Sequence, residues 1–209
     1  MPPLVDESVL SDGGIKVDQS GATLTITLAR PDSRNSQTPA TWRALSAVAT
    51  SLPSDVRIVV LRGEGKSFSA GLDKRMFAEG VDGELPLSGM ANLSDADFDG
   101  AIAGFQHAFT CWRDLDAIVI AAVQGHAIGA GFQLALGADL IVVANDVQFS
   151  MKETQLGLVP DLGGTQPLVA AVGYPTALEM CASGRWIGAQ EAVSSGIAVA
   201  NVEVGELDE

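Results

Sequence analysis

The chain has 209 residues, enough for one domain with a sizeable core. Its 26 acidic and 12 basic residues leave a net charge of −14, which argues against nucleic acid or anionic membrane as the main partner, since both need a basic footprint. Hydrophobic residues make up 47% and charged residues only 18%, below the usual charged share of about 25%, so the composition disfavours disorder and predicts surface buried against other subunits.

Met1–Leu10 carries acids but no basic region or apolar run, so no secretion signal is expected. Cys111 and Cys181 stand far apart and fit neither a disulfide framework nor a zinc site. The expected location is the cytoplasm. Ile15–Gln19 and Ala22–Ala29 read as two strands joined at Ser20-Gly21. Leu24, Ile26 and Leu28 alternate with Thr23, Thr25 and Thr27, the period of a half-buried strand. Thr38 followed by Pro39 reads as an N-cap and first helical position, opening a helix to about Ser51. Val56–Leu61 is almost continuously apolar, which predicts a strand buried on both faces.

Gly63–Gly71 is a loop of small residues, and Gly80–Asn92 is a second loop, expected to be mobile. Ser94 and Asp97 resemble a capping box. Phe98, Ile102, Phe105, Phe109 and Trp112 then recur at helical spacing, predicting one buried face. Ala117–Ala138 contains no formal charge and is long enough to span a bilayer. Yet Gly125, Gly129, Gly131 and Gly137 interrupt it, and strand, glycine turn and helix explain it better than a membrane span. Leu140–Ala144 reads as another buried strand. A loop over Met151–Thr165 precedes helices around Pro167–Val172 and Pro175–Ser183. This alternation predicts a single α/β domain with a mostly parallel sheet.

Several motifs fail. Gly65-Lys66-Ser67 lacks the earlier glycine of a phosphate loop, because position 60 is Val60. Gly129-Ala130-Gly131 lacks the third glycine of a dinucleotide fingerprint, because position 134 is Leu134. No Gly-x-Ser-x-Gly elbow exists. His107 reads as structural or solvent-facing, and His126 as a turn residue bonded to backbone rather than to ligand. Two loops remain, Ser67–Asp73 and Gly125–Ala135, whose small side chains let backbone N–H groups approach a ligand. The second runs into a helix start near Ala130, whose free N–H groups suit a developing oxyanion. On the loops alone, tight turns needed for packing explain them as well as a ligand site does.

The ordered motifs decide between these readings. Ala29-Arg30-Pro31 with Asn35, Ser69-Ala70-Gly71-Leu72-Asp73, the Gly125–Ala135 turn, Ala138-Asp139-Leu140 and the run Phe149–Gln166 resemble the enoyl-CoA hydratase/isomerase (crotonase) family. The resemblance extends from Ile15 to about Val202. It implies a spiral of β-β-α units, and trimers or dimers of trimers. It implies an acyl-CoA thioester as substrate, with coenzyme A part of that substrate, no separate cofactor and no metal. By residue match, the backbone N–H groups of Leu72 and Ala130 form the oxyanion hole. Arg34 and Arg75 match basic positions near the coenzyme A phosphates, with ordinary surface cations as the alternative. Ala70, Leu72, Asp73 and Gly129 match positions that bind the coenzyme A ester.

Hydratases of the family use two glutamates. Glu153 matches one, but the other position holds Gln133, which can orient water and has no useful basicity. Asp161 stands where plain hydratases usually have Gly, and relatives that move double bonds in dienoyl-CoA esters carry Asp there. Those relatives also keep an acid at the Gln133 position. Simple isomerases work with one glutamate at the Glu153 position. The residue set therefore favours one-base isomerase chemistry by Glu153, with Asp161 assisting. For Asp161 the alternative is a helix N-cap, and for Glu153 a surface acid. Hydration is the second expectation, and an acyl-CoA-binding protein without chemistry, or a structural scaffold, is the competing class. The chain stops in an acidic tail at Glu209, so the domain is expected to lack the family's usual C-terminal helices.

Overall fold

A computed structural model describes residues 4–81 and 86–207. Helix α1 (Glu7–Gly13) leads through Gly14, in a left-handed conformation, into strands β1 (Ile15–Ser20) and β2 (Thr23–Leu28). These pair as an antiparallel hairpin from Ile15 opposite Leu28 to Ser20 opposite Thr23. The alternation read in the sequence holds: Leu24, Ile26 and Leu28 are buried, and the threonines lie on the other face. Thr38 caps α2 (Pro39–Thr50), its hydroxyl accepting from the Thr41 N–H while the Thr41 hydroxyl accepts from the Thr38 N–H. This reciprocal cap satisfies two N–H groups that the first helical turn leaves unpaired.

Strands β3 (Ile58–Gly63), β4 (Ile118–Val123), β6 (Leu140–Ala144) and β9 (Ala200–Val202) extend the hairpin in parallel, giving the order β1-β2-β3-β4-β6-β9. Leu24, Val59 and Val119 lie in register and join Trp42, Leu45 and Val48 of α2 in one apolar core. The expectation that Val56–Leu61 is buried on both faces is corrected here. Only alternate residues of β3 are fully buried, because one sheet face meets the core. On the other face Ile58 opens a row with Ile118, which is 54% exposed.

Within the second loop a short helix α3 (Leu87–Met90) forms, and positions 82–85 of that loop lie outside the described residues. Ser94 caps α4 (Asp95–Thr110) by accepting from the Asp97 N–H. The single buried face predicted for this helix is only half present. Phe109 and Trp112 are buried, whereas Ile102 and Phe105 are half-buried and Phe98 is 40% exposed. The first turns of α4 stand off the core and wall a cavity instead.

The uncharged stretch divides as strand, turn and helix: β4, then β5 (His126–Ile128) and α5 (Ala130–Leu136). Among the described residues no helix is long and apolar enough to cross a membrane. Strand β5 belongs to a second sheet, β5-β7-β8, with β7 (Gln148–Ser150) and β8 (Ile187–Gly188). Helices α6 (Thr165–Val172), α7 (Tyr174–Ser183) and α8 (Ala189–Ser194) complete the described chain. The last two residues of the acidic tail, positions 208 and 209, lie outside the described residues.

Candidate active site

The small-residue loop after β3 is stitched to the β5–α5 junction. Ser69 N–H donates to the His126 carbonyl (2.9 Å) and Ile128 N–H to the Ser69 carbonyl (3.0 Å). Gly71 has φ +82°, and a Cβ there would sit 2.3 Å from the Ile128 carbonyl oxygen and 3.4 Å from the Ala130 nitrogen. Only glycine fits so close an approach in that conformation. Gln37 fixes the other edge: its N–H donates to the Gly71 carbonyl and its carbonyl accepts from the Asp73 N–H, each at 2.8 Å. These bonds use the groups on either side of Leu72. In an extended segment its own N–H then points the opposite way. Ala130 is the first residue of α5, so its N–H has no intrahelical acceptor. Among the described residues no backbone carbonyl accepts from either N–H, and both residues line one cavity.

That cavity has a volume of about 500 Å³. It also takes in Arg34, Ala70, Gln133, Glu153 and Asp161, so seven of the ten residues singled out in the sequence share one wall. The other three sit beside it. Gly129 holds φ +52°, and a Cβ on it would come within 3.1 Å of Glu153 Oε1, so its missing side chain leaves room for the carboxylate. Asp73 and Arg75 are bound to each other. Arg75 Nε and Nη2 donate to Asp73 Oδ1 and Oδ2 at 3.0 and 2.8 Å, and the guanidinium lowers the Asp73 carboxyl to about 2. Neither lines the cavity, and Asp73 also caps the turn at Lys74–Phe77.

Glu153 opens a 3₁₀ turn (Glu153–Leu156) after β7 and is 9% exposed. Its Oε1 accepts from Gln133 Nε2 at 2.7 Å. Its Oε2 is buried with no hydrogen-bond partner. Gln133, on the first turn of α5, is 1% exposed. Its Oε1 accepts from the N–H groups of Leu162 and Gly164 at 3.0 and 3.2 Å. Only the oxygen end of the amide can accept from two N–H donors, so the amino end must face Glu153. Burial pushes the Glu153 carboxyl above its ordinary range, opposed by hydrogen bonds from its own backbone and Gln133; the charge of Asp161 adds to the rise. Asp161 is exposed to the cavity, and its carbonyl accepts from Gln106 Nε2 at 2.8 Å. It does not cap α6, which Gly164 precedes with no side-chain cap. A carboxylate with one oxygen held and the other unpartnered, beside two free N–H groups, can move a proton next to a carbonyl that becomes an enolate.

His107 is exposed, as expected. His126 departs from its expected backbone bond: Nδ1 lies 3.4 Å from the Ser67 hydroxyl, and the ring meets Trp186 edge-on at 5.8 Å. Sequence reasoning missed several wall residues. Trp42 and Phe105 pack edge-on at 4.9 Å, and Lys152 Nζ lies 4.6 Å over the Trp186 ring while donating to the Gly184 carbonyl. Phe105 carried a core signal in the sequence, where nothing distinguished a cavity wall from core, and Trp42 was not singled out.

The enoyl-CoA hydratase/isomerase family model matches residues 18–208. Carnitinyl-CoA dehydratase of Escherichia coli K12 is 39% identical over 197 residues, covering 92% of this chain and 69% of the relative. The Salmonella typhi protein of that name is 39% identical over 199 residues, covering 93% and 70%. A Thermobifida fusca YX protein described as an enoyl-CoA hydratase, solved with CoA, superposes with a TM-score of 0.92 at 44% identity, covering 100% of this chain and 79% of that one. With acetoacetyl-CoA bound, the score is 0.91 at 46% identity, covering 96% and 78%.

Proposed function

The chain belongs to the enoyl-CoA hydratase/isomerase family of acyl-CoA enzymes, and from that premise we propose that it moves a double bond in an enoyl-CoA ester by one-base chemistry at Glu153. The thioester carbonyl sits between the N–H groups of Leu72 and Ala130. Glu153 Oε2 takes a proton from C2 of a 3-enoyl ester, and the electron pair left behind makes the dienolate. Two preorganised donors hold the oxyanion; losing one such donor typically costs about 2.7–4 kcal/mol of transition-state stabilisation. The proton returns from Glu153 to C4, and the double bond settles between C2 and C3. No atom is gained or lost. The observation that carries this reading is the Gln133 amide. It is neutral, clamped at both ends and holds Glu153 Oε1, so among the described residues Glu153 is the one buried carboxylate in the cavity wall.

Coenzyme A is part of the substrate, and no further cofactor enters the scheme. Arg34, exposed at the wall of the cavity, suits a phosphate of the coenzyme. Arg75, exposed and held by Asp73 through Nε and Nη2, keeps further N–H donors for a second phosphate.

A second reading is reversible addition of water, with Asp161 as the second acid–base group. Its place in the cavity wall favours this, as do the hydratase and dehydratase names of the relatives. Glu153→Gln tests the role common to both. Turnover is expected to fall at least 10²–10⁴-fold, the usual cost of losing an acid–base group, with acyl-CoA affinity nearly unchanged. Wild-type activity in that variant would remove Glu153 from the chemistry.

A further inference from the structure

Burial raises the Glu153 carboxyl most, and the charge of Asp161 adds to the rise. Among the described residues no hydrogen bond or ion pair holds the Asp161 carboxylate itself. Its place is therefore set by the backbone that carries it. That backbone, the segment 161–164, is wedged between α4 and α5. On the α5 side, Gln133 Oε1 accepts from the Leu162 N–H, and a Cβ on Gly164 would lie 2.6 Å from Gln133 Cγ. On the α4 side, Gln106 Nε2 donates to the Asp161 carbonyl at 2.8 Å. One turn further along α4, a Cβ on Gly163 would lie 2.7 Å from Thr110 Cγ2. The Asp161 carbonyl and the Leu162 N–H belong to one peptide group. Two glutamines, one from each helix, thus grip its opposite ends. The group is planar, so both grips together fix the plane that contains the Asp161 Cα. Gln106 is half-buried and faces both the Glu153 cavity and an outer hollow of about 560 Å³, which also takes in Asp161 and His107.

We propose that Gln106 is a positioning residue: with Gln133 it holds the Asp161–Leu162 peptide group, and so sets where the Asp161 carboxylate stands relative to Glu153. The inference rests on Glu153 being the reacting group in the function proposed above. Gln106 acts through Asp161. Without its amide the peptide plane keeps one grip, the acid moves towards water, and Glu153 loses a neighbouring charge. The other charged or titratable groups around the pair are Arg34, Lys74 and Lys152 in the cavity wall, His107 in the outer hollow and Cys181 on α7. The variants below leave all of them unchanged.

The test is the titration of the Glu153 carboxyl by NMR, in the full chain labelled with carbon-13 at its glutamate carboxyls, without substrate. The Glu153 signal is the one that Glu153→Gln removes. Asp161→Asn takes away the neighbouring charge, so the midpoint is expected to fall. Gln106→Leu is expected to lower it as well, by no more than Asp161→Asn does. Gln106→Leu added to Asp161→Asn is expected to lower it no further, because the effect runs through Asp161. Gln106→Ala, the stronger helix former, takes the place of the leucine variant if that one does not fold. An unchanged midpoint in Asp161→Asn, or in a folded Gln106 variant, overturns the inference. So does an equal fall with and without the Asp161 carboxylate, the mark of a structural effect on the burial of Glu153. Turnover is read separately. If the wild type converts neither a 3-enoyl-CoA nor a 2-enoyl-CoA, the proposed function falls, and the substrate-free titration still decides what Gln106 does.

Discussion

At the scale of single residues, the function proposed above turns on the pair Gln133 and Glu153. A carboxyl raised by burial is more protonated in the folded chain than in the unfolded one at the same pH. Its contribution to stability is fully present below its ordinary value of 4.5 and is lost as pH rises through the folded value. Glu153→Gln is therefore expected to melt above wild type at neutral pH, with the gap closing as pH falls towards the ordinary glutamate value. Thermal melts at both pH values check this. A gap that widens in acid would mean that the folded state holds the carboxylate, not the acid. The same shift sets the rate profile: kcat/KM is expected to rise with pH along a limb placed above the ordinary glutamate range. Gln133→Glu puts a second carboxyl where an amide now donates to Glu153 Oε1 at 2.7 Å. Two carboxyls that close share a proton, and one of them titrates higher. Hydration of 2-enoyl-CoA is expected to rise at least tenfold, read as 3-hydroxyacyl-CoA formed; no gain would show that Gln133 does not limit water addition.

At the scale of elements, the site is a meeting of two strand-to-loop exits. One follows β3 and the other joins β5 to α5, and they touch at Gly71 and Ile128. Gly71→Ala forces a Cβ against that carbonyl in a left-handed conformation, a strain of about 1–3 kcal/mol. A thermal shift of that size is expected, with kcat reduced more than tenfold because the Leu72 and Ala130 N–H groups move apart. A variant with normal kcat would argue that these two groups do not act together. Much at this scale was legible in the chain. Thr38-Pro39 marks the start of α2, the threonine alternation marks β2, and the glycine turn divides β4 from α5, because each signal is local. What was not legible depended on distant partners. The pattern Phe98, Ile102, Phe105 looks like a buried helical face, and only the position of α2 and α3 turns it into a cavity wall. The bidentate pair of Arg75 with Asp73, two residues away, left no mark in the sequence either. The Gln133 clamp was equally hidden, since its acceptor partners lie 29 and 31 residues downstream.

At the scale of the molecule, the two sheets divide the labour. The six-stranded sheet and α2 form the core, while the three-stranded sheet carries β5 and β7, which lead directly to Ala130 and Glu153. A rigid core thus sets the positions of groups borne on short loops, as proton transfer over hydrogen-bond distances requires. The buried apolar pattern of β3 and β4 continues on the open face as Ile58 and Ile118, which explains why the sequence suggested burial on both sides. In the function proposed above, one buried carboxylate moves a proton without adding water. The most direct measurement incubates the full chain with a 3-enoyl-CoA and, separately, a 2-enoyl-CoA in deuterium-enriched water, reading products by mass and NMR. Conversion of the 3-ene to the 2-ene is expected, with no 3-hydroxyacyl product. Ready formation of 3-hydroxyacyl-CoA from the 2-ene, with no migration of the 3-ene, would contradict it.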